Sequence, residues 1–169
     1  MMNTAEISAT IADWSREHKA FFSWNPSRSL LASIRAYQTY SNQRSLLSWT
    51  VRKFAVLRHR FWSVLTGADI PINTLIAGGL LIPHPNGIVI HPDVLIGPNC
   101  LIFQQVTLGS ANGSKPPTIG GHVDIGAGAK VLGDIQISDH VKIGANAVVL
   151  IDIPTRKTAV GIPAKIINN

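Results

Sequence analysis

Asp69 and His84 are the residues of this chain best suited to moving a proton. A neutral imidazole, with an ordinary pKa of about 6.5, can take the proton of a hydroxyl as that hydroxyl attacks an acyl carbon. A carboxylate on the other ring nitrogen fixes the tautomer and stabilises the imidazolium that forms. The two stand fifteen residues apart, and His84 lies between Pro83 and Pro85, so by itself it also reads as an exposed turn residue. A second group has the character of a ligand groove. Gly126-Ala127-Gly128-Ala129 and Gly144-Ala145 repeat small side chains at an interval of eighteen, and Arg156, Lys157 and Lys165 gather cations toward the C-terminal end. Small residues leave backbone groups open to an extended ligand, and cations receive phosphates. Tight corners require Gly and Ala in any case.

For these residues to meet, the chain must return to one place at a regular interval, and the sequence has that interval. Ile70, Ile76, Ile82, Ile88, Val94, Cys100 and Val106 fall six apart, and the beat resumes at Ile119, Ile125, Val131, Ile137, Ile143, Val149 and Thr155. Between residues 70 and 155 there are 23 Ile or Val residues, and 12 of them occupy these fourteen positions, which neither an amphipathic helix nor strand alternation would select. A hexapeptide repeat does, because each flat face of a parallel β-helix takes about six residues and points a branched side chain inward. Three hexads make a triangular coil of about eighteen residues, giving between four and five coils. Asp69 and His84 then fall on adjoining coils near one corner. The beat breaks once, where 109–118 reads as a loop ejected from the solenoid, either a functional surface or a harmless insertion. Cys100, on the inward beat, reads as a core residue and not a nucleophile.

The elements before the repeat are helical. Thr4, Ile7, Ile11, Trp14 and Phe21 suggest a first helix, which Asn25-Pro26-Ser27 breaks. Ser29 can cap a second, through Leu30, Leu31, Ile34 and Tyr37, and a third runs over roughly 43–65. Gly67 ends the helical part. The expected organisation is a helical region over 1–66 and a β-helix over 67–169, with the helices covering one open end of the stack. The net charge of +6 belongs to the helices: residues 1–66 hold nine Lys or Arg against three acids, and 67–169 hold six of each. The third helix sets Arg44, Arg52, Lys53, Arg58 and Arg60 beside large apolar residues. Its apolar side either packs on the β-helix or a partner subunit, or lies on an anionic membrane.

Composition bounds the rest. At 169 residues and 46% hydrophobic content the chain can bury one core. Charged residues make up only 14%, which points to surface buried by oligomerisation. One Cys excludes a disulfide framework within the chain. No nucleic-acid motif accompanies the basic charge, so no nucleic-acid partner is expected. No run of eighteen apolar residues spans a membrane, and Glu6, Asp13 and Glu17 oppose a secretory signal. A cytoplasmic protein is expected, at the inner face of the membrane if the basic helix binds there.

Several segments, in order, resemble the serine acetyltransferase family over roughly 67–167. They are Ala68-Asp69-Ile70 with His84 and Gly87-Ile88-Val89, Phe103-Gln104-Gln105-Val106-Thr107-Leu108-Gly109, Ile125 to Gly133, and Ala159 to Lys165. The resemblance implies a left-handed parallel β-helix, mainly β overall with an N-terminal α-helical region. It implies a homotrimer, or a dimer of trimers, and acetyl-CoA as co-substrate with no metal. His84 would be the general base and Asp69 its orienting acid. Ala127, Gly128, Ala145, Gly161, Arg156, Lys157 and Lys165 would bind acetyl-CoA, and Gln104, Gln105 and Lys115 the acceptor. His91 reads as an exposed turn residue, and His122 and His140 as solvated. Their spacing does not repeat the His ligands of the carbonic anhydrases that share this repeat.

The chain departs from that family in its acceptor residues. Pro83 stands where the family has an acid before its catalytic His. Pro116 stands where the family has a second His in the ejected loop, here three residues shorter. A charged amino acid loses affinity when its buried partners vanish. The departures point to a homologue serving exopolysaccharide or capsule synthesis, acetylating a sugar hydroxyl. The alternatives are a serine O-acetyltransferase of cysteine biosynthesis and a non-catalytic scaffold solenoid.

Overall fold

The computed structural model describes residues 7–20 and 23–167. Two helices precede a parallel β-helix of short strands. Helix α1 (Pro26–Tyr40) starts earlier than its sequence suggests. Asn25 accepts the Arg28 amide and caps it, while Pro26 occupies the first turn, where its missing N–H costs nothing. Helix α2 (Leu46–Thr66) opens with a capping box between Ser45 and Ser48 and closes on Gly67 in the left-handed conformation. The expected first helix is a single 3-10 turn, Trp14–Glu17. Thr4 and Phe21 lie outside the described residues. The segment before the turn is held instead by Asn99, whose side chain accepts from the Asp13 amide and donates to the carbonyls of Ser8 and Ile11.

The strands form three faces. The first stacks β1 (Leu75–Ile76), β3 (Leu95–Ile96), β6 (Thr118–Ile119) and β9 (Gln136–Ile137). The second stacks β4 (Leu101–Ile102), β7 (Asp124–Ile125), β10 (Lys142–Ile143) and β12 (Thr158–Val160), with β13 (Lys165–Ile167) antiparallel at its end. The third stacks β2 (Val89–Ile90), β5 (Thr107–Gly109), β8 (Lys130–Leu132) and β11 (Val148–Val149). All other pairs are parallel, and every strand but β13 turns its second residue inward, as the pleat requires.

The register corrects the sequence beat in two places. Asp69 pairs with Val89 and Leu81 with Leu101, so the first coil takes 20 residues, whereas Val89 pairs with Thr107 after 18. The two extra residues lie between 81 and 89, in the corner that carries His84. The six-residue spacing ran through this slip because two inward rows exist. Ile88 and Val94 sit at corners, Ile90 and Ile96 in strands, and all four are buried. At the far end Ile137 bridges Ile153, which is buried, while Thr155 is exposed and not on the inward row. The ejected loop stands as expected, with Leu95 pairing with Thr118.

Leu30, Leu31 and Ile34 of α1 join the same core as Ile70, Leu80 and Ile88, so α1 covers the open end of the stack. The Arg35 guanidinium fastens this cap. It donates to both Glu17 oxygens (2.9 and 2.8 Å), to the Ala77 carbonyl (2.7 Å) and to the Ile76 carbonyl. Glu17 in turn accepts the Leu80 amide at 3.0 Å.

Cys100 is fully buried, and burial pushes its thiol up to about 12. Folded protein at pH 8 should leave it unmodified by iodoacetamide, and denatured protein should expose one reactive thiol; mass spectrometry distinguishes the two. Ile125→Ala removes a fully buried side chain from a middle coil. It should cost about 2–5 kcal/mol in chemical denaturation, against about 0.5 or less for exposed Lys142→Ala.

Candidate active site

The corner between the second and third faces repeats once per coil. Its successive turns are His84-Pro85-Asn86-Gly87, Phe103-Gln104-Gln105, Gly126-Ala127-Gly128 and Gly144-Ala145-Asn146, and it ends at Gly161. Backbone bonds stack them directly: Gln105 N–H donates to the Asn86 carbonyl, Gly128 to Gln104, and Asn146 to Ala127, at 2.8–3.0 Å. The last residue of each turn has a positive φ, from 57° at Asn146 to 74° at Gly128. At Gly87 a Cβ would also strike the Gln105 side chain at 2.5 Å, and at Gly128 it would strike Asn146 Oδ1 at 2.1 Å. Gly87 and Gly128 must therefore stay small, and below the Phe103-Gln104-Gln105 turn the residues Ala127, Gly128 and Ala145 form a small-residue stretch of the corner that His84 heads.

His84 itself is exposed at the top of this edge. The turn holding it is braced from below, where Gln105 Nε2 donates to Asn86 Oδ1 at 3.1 Å. Lys130 Nζ donates to the carbonyls of Gln105 and Gly128, both at 2.8 Å, and so ties the two lower turns together. Sequence reasoning missed Lys130; its signal was its place on the outward row that pairs with Thr107 and Val148.

Asp69 lies on the coil above, just past the same corner. Gly87 N–H donates to the Gly67 carbonyl and Asp69 N–H to the Ile88 carbonyl, at 2.9 and 2.8 Å. The two candidate residues thus occupy adjoining coils at one corner, although no hydrogen bond or ion pair joins their side chains among the described residues. The Asp69 charge is felt by His59 of α2. His59 Nε2 meets the Ile70 carbonyl at 2.8 Å, and burial lowers the pKa of this imidazole despite that bond and the nearby carboxylate. His59 is a neighbour of the corner that the sequence did not single out.

A hollow of about 460 Å³ opens beside His84. Trp24, Asn25, Leu65, Thr66 and Pro83 line it, so both helices contribute a wall. No charged side chain lines it among the described residues.

The remaining expected site residues divide. Gly161 closes the edge, and Lys165 lies opposite Val160 on β13. Arg156 and Lys157 lie on a different corner. Arg156 N–H donates to the Asp139 carbonyl, which places it on the corner between the first and second faces, below His140. The width of the second face separates these cations from the Ala127–Ala145 edge. Gln104 lies on the edge, its Oε1 buried without a hydrogen-bond partner. Lys115 is exposed in the loop. His122 and His140 are not separately solvated: they stack on successive coils, half-buried, with their Nδ1 atoms 2.8 Å apart. His91 is half-buried, its Nδ1 accepting the Asp93 amide at 3.2 Å. Among the described residues no three His, Cys, Asp or Glu side chains group to hold a metal ion. No helix there is long and apolar enough to cross a membrane.

No protein-family model matches the chain. A serine acetyltransferase of Synechococcus elongatus is 46% identical over 107 residues, 62% of this chain and 44% of that protein. One from Helicobacter pylori is 49% identical over 106 residues, 61% of this chain and 62% of that protein. One from Buchnera aphidicola is 40% identical over 144 residues, 81% of this chain and 54% of that protein. Among solved structures, the Brucella abortus serine acetyltransferase superposes with a TM-score of 0.72 at 31% identity, over 85% of this chain and 57% of that one. A serine acetyltransferase in complex with CoA gives 0.69 at 33% identity, over 85% of this chain and 57% of that one. The chain thus spans about half the length of the relatives it matches. The shared fold is the left-handed β-helix. By sequence and by coil architecture, the chain is a relative of the serine acetyltransferase family.

Proposed function

We propose that this protein is an O-acetyltransferase that uses acetyl-CoA, with His84 as general base and Asp69 as the carboxylate that orients it. The observation that carries the reading is one corner stacked through successive coils: an exposed imidazole at its top and, below the Phe103-Gln104-Gln105 turn, the small residues Ala127, Gly128 and Ala145. The pantetheine arm of acetyl-CoA is long, thin and amide-bearing, and suits a narrow edge with open backbone groups. Ala127, Gly128, Ala145 and Gly161 would line it, and Lys165 would meet phosphate. Arg156 and Lys157 would reach the nucleotide only from across the second face.

In this reading His84 takes the acceptor proton as the hydroxyl oxygen attacks the thioester carbonyl carbon. The tetrahedral intermediate collapses by breaking the C–S bond. The proton on the imidazolium then goes to the departing thiolate, which leaves as CoA. Asp69 holds the imidazole tautomer and offsets its transient charge. The braced corner keeps the base in place, and positioning accounts for much of such a rate enhancement.

L-serine is the proposed acceptor. The matched relatives are serine acetyltransferases, and a solved relative carries bound serine. A sugar hydroxyl is the second reading, and one observation favours it. The hollow beside His84 has an exposed Trp24 and no charged wall among the described residues, whereas a zwitterionic amino acid needs ionic partners. Pro83 and Pro116, at the places where the family resemblance implies an acid and a His, point the same way.

Purified protein should release free thiol from acetyl-CoA when L-serine is supplied. His84→Ala should lower that rate about 10²–10⁴-fold with unchanged thermal stability; undiminished turnover would remove His84 from the mechanism. If a neutral saccharide panel supports faster release than L-serine, the second reading replaces the first. Ala145→Phe should obstruct the edge and raise KM for acetyl-CoA about tenfold, ~1.4 kcal/mol, leaving the KM of the acceptor unchanged. An unaltered KM for acetyl-CoA would move the donor elsewhere.

A further inference from the structure

Helix α2 is packed the opposite way round from an ordinary amphipathic helix. The side that meets the rest of the molecule buries Ser48, Ala55 and Thr66, with His59 and Trp62 half-buried. The outward side leaves Leu46 at 79%, Leu47 at 65%, Phe54 at 61%, Leu57 at 65%, Phe61 at 59% and Val64 at 86% exposure. Small residues let α2 approach α1 closely, so packing explains the inner side. Nothing in the described chain covers the outer one. An exposed apolar surface of this extent marks a docking site.

The charge identifies the occupant. Lys53 lies over the Trp49 ring at 5.8 Å and Arg58 over Phe54 at 6.0 Å. Arg60 borders an apolar hollow of about 400 Å³ formed with Leu57, Phe61, Val64 and Leu65. Between Glu17 and Asp69 the chain has no acidic residue and eight Lys or Arg. A second copy laying its own α2 on this face would set cations against cations with no carboxylate to answer them. An anionic bilayer supplies both partners at once: acyl chains for the Leu and Phe side chains, and headgroup phosphates for the Lys and Arg. The 21-residue helix is about 32 Å long and would lie in the plane of the interface.

We propose that the outward face of α2 docks this protein on an anionic lipid surface, peripherally and reversibly. Docking there would set the hollow beside His84, walled by Leu65 and Thr66 at the end of α2, close to the membrane.

The test is co-sedimentation of the full chain with phosphatidylcholine vesicles, with and without 30% phosphatidylglycerol (roughly a bacterial-type surface charge), at low and high salt. The protein should bind the anionic vesicles at low salt, bind phosphatidylcholine alone at least tenfold more weakly, and weaken as salt rises. Phe54→Glu with Phe61→Glu should lower binding at least tenfold, and Lys53→Glu with Arg60→Glu should do so separately. Circular dichroism and thiol release from acetyl-CoA should match the wild type in both. Absence of binding to anionic vesicles, or binding by either variant as strong as that of the wild type, overturns the proposal. So does a wild-type assembly that the Phe variant splits into smaller particles without any vesicle binding, since the face would then join copies of the chain. Vesicle binding needs no turnover, so this result is independent of the proposed reaction.

Discussion

Stacked coils constrain one another. Each parallel strand takes its hydrogen bonds from the coils above and below, about 4.8 Å away, so a corner can change shape only if its neighbours allow it. Along the corner between the second and third faces this constraint fixes a column of positive-φ residues, Gly87, Gln105, Gly128 and Asn146. It also excludes a side chain at two of them, through the approach of Gln105 to Gly87 and of Asn146 to Gly128. At this corner the constraint relaxes in the first coil, whose two extra residues let the turn at His84 stand out from the stack.

The open end of such a stack presents unpaired backbone groups and bare inward side chains, and α1 meets both needs. Leu30, Leu31 and Ile34 extend the core, while Arg35 and Glu17 satisfy backbone atoms of the first coil. An ion pair this little exposed is held by its further hydrogen bonds more than by its charge alone. With α1 committed to the cap, α2 packs on α1 through small residues and turns its large ones outward. The hollow beside His84 follows from the same arrangement, because the start of α1 and the end of α2 converge on the corner that carries the imidazole.

The hexad beat made the β-helix, the ejected loop and the inward place of Cys100 legible without coordinates. These are local, repeated signals, and repetition makes each one redundant. Gly67 as a helix stop was legible from local chemistry, a glycine free to take the left-handed conformation, and the Asp69–His84 corner from the length of a coil. The beat misled where two inward rows exist: Ile88 and Val94 belong to the corner row, so the insertion at His84 left the spacing of six intact. The last coil misled in the opposite sense, since its shortening exchanged Thr155 for Ile153 on the inward row.

The sequence by itself determined the coil, because one branched side chain every six residues has a single way to be buried. It also determined which residue types could handle a proton and which corners had to be small. Only the tertiary structure decided what each helix faces. The pattern of α2 is amphipathic whichever way it points, and its orientation depends on how closely Ser48, Ala55 and Thr66 let it approach the rest of the molecule. The pairing of distant groups outside the coil period was likewise decided in three dimensions: Arg35 with Glu17 and His59 with the Ile70 carbonyl each join residues that no spacing rule connects, whereas His122 and His140 stand one 18-residue coil apart.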